Sequence, residues 1–448
     1  MTFSGKKEAL YLFVGDLMGF CVALWLMLFV RYQELPRGGV FLEHIQPFSI
    51  LFAVWILVFF IAGLYERHTL PLQSKLPSVI LNAQIVNTLV AITFFYLIPY
   101  FGITPKTNLF IYLIISFVVI LVWRIEGQRF LMVKEKQNAI LIGEGEEARE
   151  LRQEVNNNPR YGIKFVSSID LNTIQDLDFQ EEILKTVYSE GVSIIAADLR
   201  SENVEPILPH FYNLIFSNVH FIDMYKIYED IFNRIPLSLV KHNWFLENVS
   251  TTHNPTFDFL KRAMDIILSL VLGLISLVVY PFCWLAIKLD DGGPVFFVQE
   301  RIGKNNKIIK VIKFRSLKVH NNPDGVATDN GTTKVGAFLR RTRIDELPQL
   351  WNVLKDDLSL IGPRPEIPSL VKLYEKEVPY YNIRHLIKPG LSGWAQLYHN
   401  SPPKFNPDNG ETKKKLSFDL YYIKNRSFVL DVKIALKTLK ALLSRSGM

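Results

Sequence analysis

Four long apolar runs precede residue 124, and they limit what this chain can fold into. They are Ala9–Val30, Pro47–Leu64, Val79–Phe101 and Leu109–Trp123. A helix needs about 20 residues to cross roughly 30 Å of hydrocarbon. The first and third runs are long enough, whereas the second and fourth must borrow flanking residues. The pattern therefore predicts a membrane protein that begins with a four-helix transmembrane bundle.

Basic residues beside these runs predict their orientation. They cluster before the first run, between the second and third, and after the fourth: Lys6, Lys7; Arg67, His68, Lys75; Arg124, Arg129, Lys134, Lys136. The positive-inside rule places such segments in the cytoplasm. Arg31 and Arg37 oppose this, but Glu34 and Glu43 accompany them. The formal net charge of +7 suits a protein beside anionic lipid and phosphate, although positive-inside bias accounts for part of it.

Polar residues within the runs predict contacts between helices. Asp16 lies near the start of the first run, where an interfacial or inter-helix contact is favoured over a functional charge. Asn82, Gln84 and Asn87 recur near helical spacing in the third run, and we expect them to hydrogen-bond to neighbouring helices.

A fifth apolar run, Ile266–Ile287, has charged residues on both flanks. A full span would separate two segments that both look cytoplasmic. Pro281 lacks a backbone donor and interrupts the helix, which is tolerated at membrane depth where the freed carbonyls find partners. We predict a re-entrant helix that enters one leaflet and returns, with an ordinary kinked span as the alternative.

Residues 137–251 alternate apolar strands with helical stretches, which predicts a Rossmann-like α/β domain with a mostly parallel sheet. Expected strands are Asn138–Ile142, Val192–Ala197 and Val219–Ile222, and Glu146–Val155 is an expected helix. The turn Gly143–Ala148 imitates a dinucleotide fingerprint, but glutamates stand where an anion would bind and Ala148 replaces the last glycine. A structural or regulatory role is favoured over cofactor binding.

The two cysteines, Cys21 and Cys283, predict neither a disulfide framework nor a thiolate zinc site.

Residues suited to phosphoryl transfer follow the fifth run. Asp345 and Glu346 are adjacent carboxylates among arginines, and Arg364 lies between Pro363 and Pro365. Such transfer needs cations that hold phosphate oxygens and a divalent metal that neutralises developing charge. Taken alone, the two carboxylates are equally typical of a helix cap before Leu347.

The whole run of motifs resembles the bacterial sugar transferase family, the polyprenyl-phosphate hexose-1-phosphate transferases. Their long-form monotopic phosphoglycosyl transferases also carry four helices and a degenerate nucleotide-binding-like domain. The resemblance spans Lys261–Ser444, and its motifs are Lys261, Arg262 and Asp265; Pro281; Lys313–Ser316; Asp345–Gln349; Gly362–Pro365; and Lys388–Gly390. A Ser-Pro pair often breaks the family's re-entrant helix, whereas this chain has Tyr280-Pro281, which keeps the proline.

The resemblance implies a role for each site residue. Asp345 is the expected nucleophile on the β-phosphorus of a UDP-sugar, and Glu346 the expected Mg²⁺ ligand. Arg340 and Arg364 are expected to bind substrate phosphate, with Lys313 and Arg315 as weaker members. UMP would leave as Asp345 attacks, and undecaprenyl phosphate would then take the sugar phosphate from Asp345. This would be the first membrane step of exopolysaccharide, capsule or O-antigen biosynthesis.

The expected domains are 1–136, the transmembrane region; 137–251, the α/β domain; and 252–448, a small α-rich catalytic domain with the re-entrant helix. We expect the protein to lie in the bacterial inner membrane, with its catalytic domain on the cytoplasmic face and the lipid bilayer as a partner. Phe428–Leu443 is predicted to be an interfacial amphipathic helix, with an ordinary packing helix as the alternative.

Two rival functions are weighed against this one. A membrane-anchored, NAD-dependent nucleotide-sugar dehydratase would need an intact fingerprint and a Tyr-x-x-x-Lys pair, and neither Tyr374 nor Tyr421 has lysine at that spacing. A non-catalytic scaffold of polysaccharide assembly would not need the Asp345–Glu346 pair. Nucleic acid is not an expected partner, and a homodimer through the first 250 residues is compatible with the sequence. Glucose and galactose are expectations from the long form of the family.

Overall fold

The computed structural model describes residues 6–36, 38–65, 76–98, 105–131, 136–158, 161–170, 179–199, 201, 203–204, 208–214, 219–249, 255–318, 331–398 and 409–444. The chain divides into two compact units. The first comprises Met1–Ile142, Ala148–Ala196 and Pro209–Phe221, and the second comprises Gly143–Glu147, Ala197–Leu208 and Ile222–Met448. These units follow spatial contacts rather than sequence pattern, so the three sequence domains stay a prediction.

Four helices of the first unit are long and apolar enough to cross a membrane. They are α1 (Lys6–Tyr32), α2 (Gly38–Ile61), α3 (Leu76–Leu97) and α4 (Pro105–Leu131). The four predicted spans are therefore confirmed, and the second and fourth do extend into flanking residues. Aromatic side chains such as Phe20, Phe48 and Trp55 are fully buried in the core of this bundle.

A buried ion pair joins the first and fourth helices. The Arg124 Nε donates to Asp16 Oδ1 at 3.0 Å, and the other nitrogens of its guanidinium reach Asp16 Oδ2 and the Leu64 carbonyl. The Tyr65 hydroxyl also donates to Asp16, at 2.6 Å. Both charged side chains are fully buried. The predicted polar contact of Asp16 is thus an inter-helix one.

The amides of the third helix bond differently from the prediction. The side chain of Asn87 donates to Gln84 Oε1 at 3.1 Å within the same helix. The inter-helix bond runs instead from Trp55 Nε1 to the backbone carbonyl of Asn87, at 3.0 Å. Residues spaced by three lie side by side on one helix, so these two amides satisfy part of each other's hydrogen-bonding capacity.

Four strands form the sheet of the α/β region in the order β2-β1-β3-β4. They are β1 (Gln137–Ile142), β2 (Ile163–Ile169), β3 (Ile194–Ala197) and β4 (His220–Asp223), with α5 (Gly145–Asn157), α6 (Phe179–Ser189) and α7 (Leu208–Leu214) between them. β1 and β2 pair in parallel. The three predicted strands and the predicted helix are confirmed, whereas the sequence reading named no strand at β2. The Rossmann-like topology stays a prediction.

Glutamates of the imitated fingerprint bind other parts of the chain. Glu147 Oε1 accepts from the Ser238 backbone N–H at 3.4 Å, and Glu144 Oε2 accepts from Asn203 Nδ2 at 3.5 Å. Gly145 adopts a φ of 82° at the turn, a conformation that favours glycine.

The second unit contains the remaining helices and two small sheets. Its helices are α8 (Met224–Phe232), α9 (His242–Asn248), α10 (Pro255–Leu277), α11 (Tyr280–Asp291), α12 (Lys334–Arg341), α13 (Gln349–Leu354), α14 (Pro368–Glu377), α15 (Trp394–Tyr398), α16 (Asn409–Lys424) and α17 (Phe428–Ser444). One sheet pairs β5 (Phe296–Ile302) with β6 (Ile308–Phe314) antiparallel, and the other pairs β7 (Ser359–Ile361) with β8 (Gly390–Ser392) in parallel. The unit is α-rich, as predicted for the catalytic domain.

The fifth apolar run forms a bent pair of helices. α10 and α11 meet at an angle of 54° across a break at residues 278–279. Pro281 lies in the first turn of α11, where its missing N–H has no helical partner to lose. The bend therefore lies next to Pro281, and the re-entrant reading stays a prediction.

The α10 helix buries polar residues and exposes apolar ones, the reverse of a helix at a water-exposed surface. Its buried residues are Asp265, Ser269, Gly273 and Ser276, while side chains such as Ile267 and Ile275 are exposed. A helix at the surface of a water-soluble protein buries its apolar face instead. This arrangement suits an apolar surrounding.

The basic start of α10 is tied into the second unit. Lys261 pairs with Asp431 at 2.7 Å, and Arg262 donates to the carbonyls of Val353 and Leu354 at 2.7 and 3.0 Å. Asp265 accepts from the Ser359 hydroxyl at 2.7 Å and from the Leu360 N–H at 3.2 Å. These residues, read from sequence as flanking charges, therefore hold the helix to β7, α13 and α17.

The C-terminal helix α17 packs on one side. Leu430 and Ile434 lie in a buried cluster with Trp394, Phe418 and Tyr422. Lys437 Nζ lies 4.5 Å from the centre of the Tyr398 ring. These contacts support the packing alternative, and placement at the membrane interface stays a prediction.

The ion pair in the first unit yields a stability prediction. Arg124→Met leaves the Asp16 carboxylate buried and uncompensated, which costs about 3–5 kcal/mol. We expect a lower unfolding temperature in detergent for Arg124→Met, and partial recovery in the double variant Asp16→Asn/Arg124→Met. The exposed Arg31→Met is the matched control. A double variant no more stable than Arg124→Met would contradict the prediction.

Candidate active site

Asp345 and Glu346 lie in a single 3₁₀ turn, Ile344–Glu346, between α12 and α13. Arg343 starts this turn with a φ of 54°, a left-handed conformation that is uncommon for a residue other than glycine. α13 begins at Gln349, and its N-cap residue is Pro348, which makes no side-chain capping bond. Neither carboxylate caps that helix, so the alternative reading of the pair as a helix cap is not supported.

Three cations surround the carboxylate of Glu346. Its Oε1 lies 3.1 Å from Arg364 Nη2 and 3.4 Å from Lys313 Nζ, and its Oε2 lies 3.7 Å from Arg343 Nη1. Burial alone would raise the pKa of Glu346, but the charges of Arg364, Lys313 and Arg343 lower it to about 2. The side chain is therefore an anion at neutral pH.

The neighbouring Asp345 has a different environment. It is only 7% exposed and forms no hydrogen bond or ion pair with another described residue. Burial, and then the negative charge of Glu346, raises the pKa of Asp345 to about 6, against the opposing charges of Lys313, Arg340 and Arg364. Asp345 is thus a carboxylate at neutral pH that no cation holds directly.

Lys313 is brought to the pair by the β5–β6 hairpin. Burial lowers its pKa to about 8, although Glu346 acts in the opposite direction. Asn352 of α13 fixes the hairpin, since its side chain accepts from the Ile312 N–H at 3.1 Å and donates to the Lys310 carbonyl at 2.7 Å. The helix that follows the carboxylates and the strand that carries Lys313 are therefore held in register.

Arg364 is brought to the pair by a close crossing of two loops. The Gly362 N–H donates to the Ser392 carbonyl at 2.8 Å, and the Gly390 N–H donates to the Pro363 carbonyl at 2.9 Å. A Cβ atom on Gly390 would lie 2.1 Å from the Gly362 nitrogen. The glycines of both motifs are needed because the two backbones touch.

Arg340 and Arg315 occupy different positions relative to the pair. Arg340, in the last turn of α12, is exposed and acts on Asp345 through its charge. Arg315 is not brought to the pair: its Nη1 donates to Asp291 at 2.7 Å, and its Nε donates to the Pro294 carbonyl at 2.6 Å. The contacts of Arg315 therefore hold the loop after α11, and its predicted phosphate-binding role stays a prediction.

Two further arginines belong to the charged group. Arg343 contacts Glu346 from within the same turn, a spacing of three that the sequence displays. Arg301 lies near Glu366 and Glu346, and burial lowers its pKa to about 10 while those carboxylates oppose the change. Its Nη1 donates to the Pro365 carbonyl at 3.1 Å. No sequence spacing predicts that β5 brings Arg301 to this loop.

The donor set fits a hard divalent cation in one specific way. Among the described residues, no group of three or more His, Cys, Asp or Glu side chains could hold a metal. Mg²⁺ is commonly bound by one or two carboxylates together with phosphate oxygens of a substrate. Glu346, ionised at neutral pH, supplies one carboxylate of this kind. The site therefore fits Mg²⁺ only as a partner of a bound phosphate.

Part of the chain matches known proteins. Residues 256–445 match the sequence profile of a family described as Bacterial sugar transferase. The UDP-N-acetylgalactosamine-undecaprenyl-phosphate N-acetylgalactosaminephosphotransferase of Aeromonas hydrophila is 36% identical over 259 residues, 56% of this chain and 59% of that protein.

Two other relatives match a shorter segment. The UDP-glucose:undecaprenyl-phosphate glucose-1-phosphate transferase of Escherichia coli K12 is 46% identical over 190 residues, 40% of this chain and 39% of that protein. The exopolysaccharide production protein PSS of Rhizobium leguminosarum bv. phaseoli is 42% identical over 194 residues, 42% of this chain and 96% of that protein. The chain thus spans 59% and 39% of the first two relatives, but nearly all of the third.

Proposed function

The chain belongs to the bacterial sugar transferase family, and we propose that it transfers a hexose 1-phosphate from a UDP-sugar to undecaprenyl phosphate. The products are undecaprenyl-diphosphate-sugar and UMP. The observation that carries the proposal is the pair Asp345–Glu346, in which one buried carboxylate is held by cations and the other is not. The segment that matches the family profile, 256–445, contains the pair, and relatives of the chain are named for such transfers.

Asp345 is the nucleophile in this proposal. Its carboxylate attacks the β-phosphorus of the UDP-sugar, the bond from that phosphorus to the bridging oxygen breaks, and UMP leaves. A phosphate oxygen of undecaprenyl phosphate then attacks the same phosphorus and releases Asp345. Carboxylates do form such acyl phosphates. Because no cation pairs directly with Asp345, its lone pairs are available for the attack.

The cations hold the phosphate oxygens of the substrate. Arg364 and Lys313, with Arg340 at the edge, stabilise the negative charge that spreads over the transferring group. Glu346 would hold Mg²⁺, which would supply further neutralisation of phosphate charge when bound. Arg343 keeps Glu346 in place.

The membrane position follows from the lipid substrate, whose phosphate stays in the headgroup plane. We place the bent pair α10–α11 as a re-entrant helix in the cytoplasmic leaflet of the bacterial inner membrane. The support is the 54° bend, the exposed apolar side chains of α10 and the charged residues on both flanks. The reaction would begin the assembly of a surface polysaccharide.

The proposed re-entrant helix gives a prediction about topology. In intact cells, a cysteine introduced as Lys307→Cys, in a chain with Cys21→Ser and Cys283→Ser, should resist a membrane-impermeant maleimide until the cells are lysed. Glu34→Cys, between α1 and α2, is the control that should react from outside. Labelling of Lys307→Cys in intact cells would favour the kinked span over the re-entrant helix.

Replacing each of the two carboxylates by an amide should reduce turnover in a different way. Asp345→Asn removes the attacking charge, so turnover should fall about a thousandfold or more, and about 1.4 kcal/mol of barrier accompanies each tenfold loss. Glu346→Gln keeps the nucleophile, so part of the activity should return at high Mg²⁺. Wild-type protein given UDP-sugar without lipid should release at most about one UMP per site.

Mass spectrometry of the trapped peptide tests the same assignment independently. The mass of the phosphosugar should map to Asp345, and Asp345→Asn should carry none. Near-normal turnover of Asp345→Asn, or an adduct on another residue, would show that the roles are wrong even within the family.

A pH dependence follows from the raised pKa of Asp345. The attacking carboxylate must be ionised, so turnover should fall as the pH drops through about 6. The charge of Lys313 lowers the pKa of Asp345, and Lys313→Met should therefore move this acid limb to higher pH. Lys310→Met, on the same strand with an exposed side chain, should leave the limb in place. An unshifted limb in Lys313→Met would count against Asp345 as the ionising group.

A further inference from the structure

The loop that carries Arg364 is held at four consecutive carbonyl groups. The Pro363 carbonyl accepts from the Gly390 N–H at 2.9 Å, and the Glu366 carbonyl accepts from the Ile302 N–H at 2.9 Å. Arg384 Nη2 donates to the Arg364 carbonyl at 3.0 Å, and Arg301 reaches the Pro365 carbonyl. The prolines at 363 and 365 have no N–H, so these carbonyls are the main backbone anchors of the loop.

Arg384 is a buried residue of the 3₁₀ helix Tyr381–Leu386, and its side chain is 1% exposed. It pairs with Asp419 at 2.8 Å and with Glu366 at 3.6 Å, and it donates to the Tyr381 hydroxyl at 2.6 Å. Glu366 also pairs with Lys415. Two cations and two anions therefore balance, and the cluster adds no net charge to the neighbouring site.

We infer that Arg384 is a positioning residue that fixes the backbone of Arg364, so that the guanidinium of Arg364 stays at the Asp345–Glu346 pair. The inference rests on the proposed function for the phosphate that Arg364 binds. Because the charge of Arg384 is already matched, its effect on the site is geometric. Arg384 Nη2 donates to the loop and pairs with Asp419, while Nη1 donates to Tyr381 and pairs with Glu366, which requires a fork and not a point charge.

Two variants separate this role from folding. Arg384→Lys keeps the charge, but its single nitrogen cannot hold both the Arg364 carbonyl and the Tyr381 hydroxyl, which Nη2 and Nη1 of Arg384 hold separately. Arg384→Met combined with Asp419→Asn removes one charge of each sign, so the cluster stays neutral and no buried charge is left unpaired. Arg426→Lys, which alters an arginine that pairs with Asp258 in the same unit, is the matched control. Thermal unfolding of the full chain in lipid nanodiscs checks that each variant folds.

Hydrogen exchange measures positioning without any activity. In Arg384→Lys, the N–H groups of Gly390 and Ile302, which bind this loop, should exchange at least about tenfold faster. The Arg315 N–H, which binds the Val295 carbonyl, and all amides of the Arg426→Lys control should keep their rates. Unchanged exchange at Gly390 and Ile302 would overturn the inference whatever the activity.

Measurements of turnover then test whether Arg364 is the group that Arg384 positions. We expect Arg384→Lys to lower UMP release from a UDP-sugar with undecaprenyl phosphate by about ten- to a hundredfold. In an Arg364→Met background, the same change should cost less than about twofold, because the group it positions is gone. An additive loss would show a merely structural role and overturn the inference. If the wild-type protein releases no UMP, the proposed function fails, while the exchange rates still decide whether Arg384 fixes the loop.

Discussion

The carboxylate of Glu346 neutralises cations that come from three separate parts of the second unit. Lys313 arrives on β6, Arg364 on the loop after β7, and Arg343 from the turn itself. Without Glu346 these cations would repel one another at short range, and without them the buried carboxylate would take up a proton. The same contacts therefore assemble the fold at this point and leave fixed positive charge beside Asp345, which the proposed transfer of a phosphate group would use.

Two carboxylates that are adjacent in sequence acquire opposite properties in this cluster. The cations lower the pKa of Glu346 to about 2 despite its burial, whereas burial and the charge of Glu346 raise that of Asp345 to about 6. Groups whose environments push their pKa values apart commonly divide acid, base and nucleophile roles between them. One side chain is suited to permanent charge, and the other to forming and breaking a bond.

The sequence predicted those features that local pattern determines. The length of the apolar runs predicted the four spans, and Pro281 predicted the position of the bend. The adjacency of Asp345 and Glu346 indicated two candidate site residues, which the structure groups with Arg364 and Lys313. Pattern could not give the partners of Arg315 and Arg384, because a guanidinium can reach many groups and only tertiary contacts choose among them. Arg315 binds Asp291, and Arg384 lies buried beside Glu366 and Asp419. Such long-range pairings leave no periodic signal.

The attachment of α10 ties the helix with exposed apolar side chains to the charged cluster, as the proposed re-entrant placement requires. Arg262 binds the last carbonyls of α13, and α13 begins three residues after Glu346. Asp265 binds β7, which leads directly into the loop of Arg364. The start of the helix with exposed apolar side chains is thus joined by short, hydrogen-bonded links to both halves of the charged cluster. If the proposed lipid phosphate is the acceptor, its depth is nearly fixed, and a rigid link of this kind would replace the search that a flexible tether requires.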